Sequence, residues 1–334
     1  MSGSTNQENA LPLPGSLAGK TTQPAERSTL LPELEKFLTV TAQQYGACLS
    51  HIEHDYILDG ASATMRLHYV RLDANGRPKF KELAQVLAFH LGHYAVMAQR
   101  HQRATTHVDH VKLYLEAKKL LRQYAKTGEP GELLLYFLME AVLKAPQAIC
   151  KMSLKTNRRE EVKGSDGVHL RWDESRKRLI LYFGEAKLYK SLSSAMEAAM
   201  ESIEKFHAQG AEEHEVFLAS NHFNLLDNKL KSEVCAFMDK TASKDGYELQ
   251  HACLIGFDWA QYGDLDHPKR RKEFIADFHK RYLEQGSTIH EALARRLKKF
   301  KYNHLIFEFF FVPFQSVQEF RDWFLNEVFG GVSK

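Results

Sequence analysis

Two charged residues at the end of an apolar run form the clearest chemical pattern in this chain of 334 residues. Glu185 and Lys187 follow the run Leu-Ile-Leu-Tyr-Phe-Gly, and the period of two in a strand points both side chains to one face. Asp166 begins the preceding strand, and a hairpin would bring it next to Glu185. Two carboxylates hold a hard cation, and a lysine beside them orients water or neutralises phosphate charge. The pattern predicts metal-assisted phosphodiester hydrolysis.

The spacing Glu-x-Lys occurs twice more, and its surroundings distinguish the three copies. Glu116 and Lys118 lie in a helical pattern, where residues two apart do not share a face. The copy at 161–163 lies in a charged, loop-like stretch without an acidic partner on a preceding strand. An isolated motif of this kind is typical of a solvated salt bridge. The copy at 185–187 combines an apolar strand, a preceding aspartate and a following helix, which favours the catalytic interpretation.

Hydrophobic periodicity predicts the elements that position these residues. Alternating and short apolar runs predict strands at 64–72, 148–154, 168–172, 178–183, 216–219, 253–257 and 305–312. Helical spacing predicts helices at 79–97, 108–124, 132–143, 191–208, 229–238 and 272–282. Ser191 is a competent N-cap for the helix that follows the motif. The order of elements predicts an α/β fold with a mixed central sheet flanked by helices.

The chain divides into three regions by composition and pattern. Residues 1–28 are polar, contain several prolines and show no apolar periodicity, so we expect a disordered lead-in. Residues 29–125 predict a smaller N-terminal α+β region. A break rich in glycine and proline at 127–131 opens a main domain that we place at 126–334.

Overall composition excludes several classes of protein. The chain is 44% hydrophobic and 26% charged, which excludes a mostly disordered protein. Lys and Arg number 45 against 42 Asp and Glu, so the net charge of +3 excludes a histone-like polycation but permits local basic grooves. No apolar run approaches the roughly 20 residues of a membrane helix, and no secretory signal is recognisable. Four cysteines without C-x-x-C spacing fit free thiols in a reducing compartment, so we expect a cytoplasmic protein.

The motif and its surrounding elements resemble the PD-(D/E)xK nuclease superfamily. That pattern has a helix bearing a Glu, a strand with Asp, a strand ending in Glu-x-Lys, and a helix. The run Gly-Glu-Leu-Leu-Leu-Tyr beginning at Gly131 stands at the first helix position and offers Glu132 as an additional acidic group. Two alternatives stay open: Glu132 favours the helix dipole only, or Glu140 takes its place. Ser165 replaces the proline of the strict motif, a substitution common in the superfamily.

The resemblance extends to one family, the nuclease subunit (HamA) of the Hachiman anti-phage defence system. Besides the run at Gly131, it is carried by Lys-Met-Ser-Leu-Lys-Thr-Asn from Lys151, Gly-Ser-Asp-Gly-Val-His from Gly164 and Gly-Glu-Ala-Lys-Leu-Tyr from Gly184. Segments 253–259 and 312–320 add to the likeness, which covers about residues 30–330. The resemblance implies a partner, a superfamily-2 helicase or translocase, that restrains the nuclease until infection disturbs DNA.

The resemblance implies roles for individual residues. The metal, Mg²⁺ with Mn²⁺ as a substitute, would be held by Asp166, Glu185, Glu132 and the backbone carbonyl of Ala186, and Lys187 would serve the attacking water. Lys155 and Lys190 are the basic residues nearest the motif, and Ser191 begins a helix whose backbone N–H groups suit phosphate. We therefore expect these last three residues to contact nucleic acid.

Two alternative functions remain open from the sequence. One is a catalytically silent DNA-sensing or scaffold subunit of a helicase complex, and the other is an RNA-cleaving toxin of the same fold. The intact set of Asp, Glu and Lys argues against the silent subunit, because a binding module gains nothing from burying two carboxylates beside phosphate. Two histidine pairs at helical spacing, in 90–93 and 107–110, lack a third ligand of clear spacing, so we expect structural or surface roles for them.

Overall fold

A computed structural model describes residues 31–58, 60–121, 128–154, 164–224, 228–238, 247–263, 265 and 271–330. Three predicted features lie outside the described residues: the lead-in 1–28, the Glu-x-Lys copy at 161–163, and Lys155. Of the break that we placed at 127–131, only residue 127 lies outside them.

One sheet of seven strands runs through the described part of the chain. Its strands are β1 (Leu49–Ile57), β2 (Ala63–Val70), β3 (Gln147–Ile149), β4 (Gly167–Asp173), β5 (Arg178–Tyr189), β6 (Tyr247–Asp258) and β7 (Ile306–Phe314). Their order is β1-β2-β7-β6-β5-β4-β3. The four central strands are parallel neighbours, whereas β1, β4 and β3 pair antiparallel. The predicted mixed sheet is confirmed.

Helices cover both faces of this sheet. They are α1 (Ala42–Cys48), α2 (Phe80–Ala95), α3 (Ala98–Arg103), α4 (His107–Leu120), α5 (Glu129–Ala141), α6 (Leu192–Ala208), α7 (Ala211–Asn221), α8 (Asn228–Met238), α9 (Arg271–Lys299) and α10 (Val317–Phe329). Short 3₁₀ helices span Leu31–Phe37, Lys151–Leu154 and Ala260–Tyr262. No helix in the described ranges combines the length and the apolar character needed to cross a bilayer.

The core follows the alternation of the central strands. On β7, Phe310, Val312 and Phe314 pack with α2, α5 and α10, whereas Phe309 and Phe311 face α6 and α9. A strand covered on both faces is apolar throughout, which is why 305–312 reads as a continuous hydrophobic run. A third apolar cluster joins β3 and β4 to α7 and α8.

The N-terminal region shares the sheet with the rest of the chain. Strand β2 pairs in parallel with β7, and β1 extends the sheet beyond it. Helix α2 packs mainly against α10, near the other end of the chain. The separate α+β region at 29–125 therefore contributes strands to the same sheet as the region 126–334.

Several predicted elements differ from the structure. The predicted strand at 216–219 is wrong, because these residues form the middle of helix α7, whose first turn holds Glu212 and Glu213. Of the predicted strand 148–154, only residues 148–149 lie in a strand, which is β3, and a 3₁₀ helix follows it. Strand β5 runs six residues beyond its predicted end, and α9 continues far beyond the predicted 272–282.

Candidate active site

The hairpin of β4 and β5 places Asp166 against the backbone of β5. Gly167 pairs with Gly184, and the N–H of Asp166 donates to the carbonyl of Gly184 over 2.8 Å. The Asp166 side chain turns along β5, where Oδ2 accepts the N–H of Ala186 over 2.7 Å. The carboxylate is therefore held beside the segment that carries Glu185 and Lys187.

Glu185 and Lys187 lie on one face of β5, as their spacing predicts. The ammonium of Lys187 lies 2.5 Å from Oε1 of Glu185. Ser202 of α6 lies close enough to Glu185 to lower its pKa, and the strand partner of Glu185, Cys253, belongs to the core beneath α6. Both charged side chains of the motif therefore lie on the α6 side of the sheet.

Burial and charge perturb the ionisation of this pair. Glu185 is only 8% exposed, and desolvation followed by the charge of Asp166 raises its pKa to about 7. Lys187 and Ser202 act in the opposite direction but do not offset these effects. Burial lowers the pKa of Lys187, yet the charges of Glu185 and Asp166 outweigh burial and leave that pKa raised. The site therefore carries more negative charge than its one lysine neutralises, which is a typical environment for a catalytic group.

Glu132 approaches Asp166 from the opposite face of β5. The hydroxyl of Tyr94 donates to Oε2 of Glu132 over 2.9 Å. Burial raises the pKa of Tyr94, and the charges of Glu132 and Asp166 raise it further, so both carboxylates lie near the same phenol. Helix α5 packs directly on β5, since a Cβ added to Gly131 would lie 3.6 Å from the Cβ of Ala186. Glu132 therefore lies on the α5 side of β5, whereas Glu185 lies on the α6 side.

Glu140, the alternative to Glu132, has a structural role. It is 1% exposed, and its Oε2 accepts hydrogen bonds from the N–H and the hydroxyl of Thr39 and from the N–H of Val40. Burial raises its pKa, although these bonds oppose the shift. The carboxylate therefore ties the segment before α1 to α5.

The donor set fits a cation that retains several of its waters. Among the described residues, no three His, Cys, Asp or Glu side chains converge as a complete protein cage for a metal. Mg²⁺ is commonly held by only one or two carboxylates together with water. Asp166 and Glu185 supply that number, and the raised pKa of Glu185 marks a negative charge that a cation would offset. The roles of Glu132 and of the Ala186 carbonyl as further ligands stay predictions.

Two of the three residues expected to contact nucleic acid, Lys190 and Ser191, lie within the described part of the chain. Lys190 is exposed just beyond β5. Ser191 caps α6, and its hydroxyl accepts the N–H of Ser194 over 3.4 Å. The first turn of α6 therefore begins at the end of the strand that carries the motif. Lys155 lies outside the described residues.

Glu116 and Lys118, the Glu-x-Lys copy on α4, make two separate contacts at the surface. Glu116 forms an ion pair with Arg100 of α3 over 2.8 Å. Lys118 lies over the ring of Phe329 in α10, 5.5 Å from its centroid. The two side chains point to different neighbours, as expected for residues two apart on a helix.

Sequence reasoning missed three groups that hold the site. Tyr94 on α2 donates a hydrogen bond to Glu132, and Ser202 on α6 lies close enough to Glu185 to lower its pKa. Lys151 and Glu215 form a buried ion pair against the turn that precedes Asp166. Tyr94 and the pair of Lys151 and Glu215 join segments far apart along the chain, and Ser202 lies on a different element from Glu185, so spacing could not reveal these groups.

Comparison with known families decides the identity of the chain. A model of the HamA family matches residues 46–328, which is most of the chain. The chain belongs to the HamA family. No match was found among curated proteins. Membership of this family associates the protein with the Hachiman anti-phage defence system, and the matched span includes the whole Asp166, Glu185 and Lys187 constellation.

Proposed function

We propose that this protein is a Mg²⁺-dependent DNA nuclease, the effector of an anti-phage defence system. One observation carries the proposal: Asp166, Glu185 and Lys187 meet at β5. The Asp166 carboxylate accepts a hydrogen bond from the N–H of Ala186 in that strand, and Lys187 forms an ion pair with Glu185. Holding Glu185 in a place that raises its pKa to about 7 opposes its ionisation. A pure scaffold has no need of such a carboxylate, whereas a bound cation would favour its ionised form and make it a ligand.

Each residue has a role in this proposal. Asp166 and Glu185 hold the cation, with Glu132 and the Ala186 carbonyl as further ligands. Bound there, Mg²⁺ supplies polarisation of the phosphate and a lowered pKa for a water molecule. Lys187, anchored by Glu185, orients the attacking water or neutralises charge that develops on the phosphate oxygens. Because these groups are already placed by the sheet and α6, little reorganisation is needed at the moment of reaction.

The wider functional setting follows the family. Lys155, Lys190 and Ser191 contact the backbone of the nucleic acid near the cleaved bond. A superfamily-2 helicase or translocase binds the nuclease and restrains it in the cytoplasm until phage infection disturbs DNA. Association with the family's defence system supports a protein partner, and the chemistry of the site supports a phosphodiester substrate.

Cleavage assays with matched nucleic acids test this function. We expect the purified chain without its helicase partner to cut DNA in Mg²⁺ or Mn²⁺ and to be inactive in Ca²⁺, which prefers looser coordination and longer distances. The same assay with the helicase present should show reduced cleavage, because the partner restrains the nuclease. RNA of the same sequence serves as the control substrate. Cleavage of RNA alone would favour the toxin interpretation, and no cleavage of either substrate under any condition would favour the silent subunit.

Replacing Glu132 with glutamine tests whether Glu132 is a further ligand of the cation. Glutamine keeps an oxygen for the Tyr94 hydroxyl, so we expect the fold to persist. If the carboxylate assists the metal, the Mg²⁺ concentration for half-maximal rate should rise, and excess Mg²⁺ should restore much of the rate. Tyr94→Phe, which removes only the orienting hydroxyl, should shift the midpoint in the same direction, by at most about 10–100-fold. An unchanged Mg²⁺ titration for Glu132→Gln would assign Glu132 to helix stabilisation alone.

A further inference from the structure

A buried ion pair lies against the turn that leads into Asp166. Nζ of Lys151 is 2.6 Å from Oε1 of Glu215, and their side chains are 5% and 0% exposed. Lys151 begins a 3₁₀ helix and Glu215 lies in the middle of α7. The pair therefore joins two elements that are far apart in sequence.

Both charged groups bond the peptide groups of one residue. Lys151 Nζ donates to the carbonyl of Ser165 over 2.5 Å, and the N–H of Ser165 donates to Oε1 of Glu215 over 3.2 Å. Gly164 has φ +96°, and a Cβ there would lie 1.8 Å from Oε1 of Glu215. The backbone immediately before Asp166 is thus fixed on both its donor and its acceptor side.

Stability alone does not account for this pair. Desolvating two charges is expensive, and apolar residues of similar volume are often as stabilising or more so. A buried ion pair does, however, hold its hydrogen-bonding partners in one arrangement. Here those partners are the peptide groups adjacent to Asp166, whose own N–H bonds Gly184 and whose carboxylate bonds Ala186.

We propose that Lys151 and Glu215 are positioning residues, which hold the peptide of Ser165 so that the Asp166 carboxylate stays oriented toward the cation. This inference rests on the proposed function, because it assigns the oriented carboxylate to metal binding. Outer partners of metal ligands typically change affinity or activity by about 10–100-fold when they are removed. Lys151 and Glu215 act through the backbone and do not touch substrate in this account.

Two variants separate positioning from a general loss of stability. Glu215→Gln keeps an oxygen for Ser165 but weakens the hold on Lys151. The double variant Lys151→Met with Glu215→Leu replaces the charges by apolar volume, which limits the risk that one unpaired charge unfolds the protein. The matched control is Arg66→Met with Glu308→Leu, which removes an ion pair between β2 and β7 at the other side of the sheet.

Two measurements on the full-length protein test the inference. The first is hydrogen exchange of the Ala186 amide without metal, because that N–H bonds the Asp166 carboxylate. The second is Mn²⁺ affinity by calorimetry. We expect Glu215→Gln and the double variant of Lys151 and Glu215 to speed exchange at Ala186 and to weaken Mn²⁺ binding by about 10–100-fold, whereas the control variant should show neither effect.

The outcomes distinguish this inference from the proposed function. If the variants of Lys151 and Glu215 fold and show normal exchange at Ala186 and normal Mn²⁺ affinity, the positioning role is overturned. A wild-type protein that binds no Mn²⁺ would contradict the proposed function, and the exchange at Ala186 would still report whether the pair orients Asp166. If the variants of Lys151 and Glu215 change only thermal stability, the pair is structural and the inference fails.

Discussion

Asp166→Asn and Glu185→Gln should each abolish DNA cleavage while leaving the fold intact. Each change removes a charged ligand but keeps an oxygen, so the N–H of Ala186 retains an acceptor at position 166. Loss of either carboxylate leaves too few anionic ligands for a cation that depends on one or two of them. The measurement is the rate of plasmid cleavage in Mg²⁺, with circular dichroism to verify folding. Cleavage at the wild-type rate by either variant would show that the metal site is assigned to the wrong residues.

The stability of Glu185→Gln gives an independent reading of the same site. Because the folded protein raises the pKa of Glu185 from 4.5 to about 7, the wild type loses stability as pH rises through this interval. Glutamine does not titrate, so the variant escapes that loss. In metal-free protein, the unfolding temperature of the variant relative to wild type should therefore increase from pH 4.5 to pH 7 and then level off. A constant difference across this range would contradict the perturbed pKa.

Lys187→Ala should lose about 10²–10³ in cleavage rate while keeping DNA binding in Ca²⁺. A group that orients water or neutralises charge in the transition state contributes little to binding of the ground state. Removing the ammonium also takes a stabilising charge from Glu185, so the rate should be compared at saturating Mg²⁺. Single-turnover kinetics and a binding assay separate the two effects.

The other two Glu-x-Lys copies provide matched controls for Lys187. Lys118→Ala removes a contact with the ring of Phe329, which is worth about 0.5–1 kcal/mol at an exposed site, and should leave the rate within a few-fold. Lys163→Ala should behave in the same way. Losing a lysine that binds phosphate would reduce the slope of the logarithm of the DNA-binding constant against the logarithm of salt concentration by about one unit. Losing Lys187 should leave that slope unchanged. An inactive Lys163→Ala beside an active Lys187→Ala would move the catalytic centre to Glu161.

The local part of the site could be predicted from the sequence because it depends on short-range patterns. A period of two places Glu185 and Lys187 on one face of β5, and the paired register of β4 and β5 brings Asp166 to Ala186. Ser191 caps α6 as its residue type suggests. These relations depend on neighbours within about twenty residues along the chain.

The supporting contacts could not be predicted because they join distant segments. Tyr94 reaches Glu132 across 38 positions, and Lys151 reaches Glu215 across 64. No alternation or spacing in one segment reports which residue of another segment it will contact. The lysine at 151 reads equally well as a surface cation, and only its burial in the structure reveals its role.

The prediction of a strand at 216–219 is wrong because the local sequence pattern is ambiguous. A run of four apolar residues does not distinguish a short buried strand from one turn of a buried helix. The structure resolves the ambiguity through Glu215, which lies just before this run and faces the interior from α7. Interpreting the run as a strand therefore hid the partner of Lys151.

The most direct test of the central claim, that Asp166 and Glu185 hold a divalent cation, is a calorimetric titration of metal-free protein with Mn²⁺ in the absence of nucleic acid. The wild-type chain should bind the metal, and the double variant Asp166→Asn with Glu185→Gln should lose that binding while Lys118→Ala keeps it. Undiminished binding by the double variant, or no binding by the folded wild type, would contradict the account.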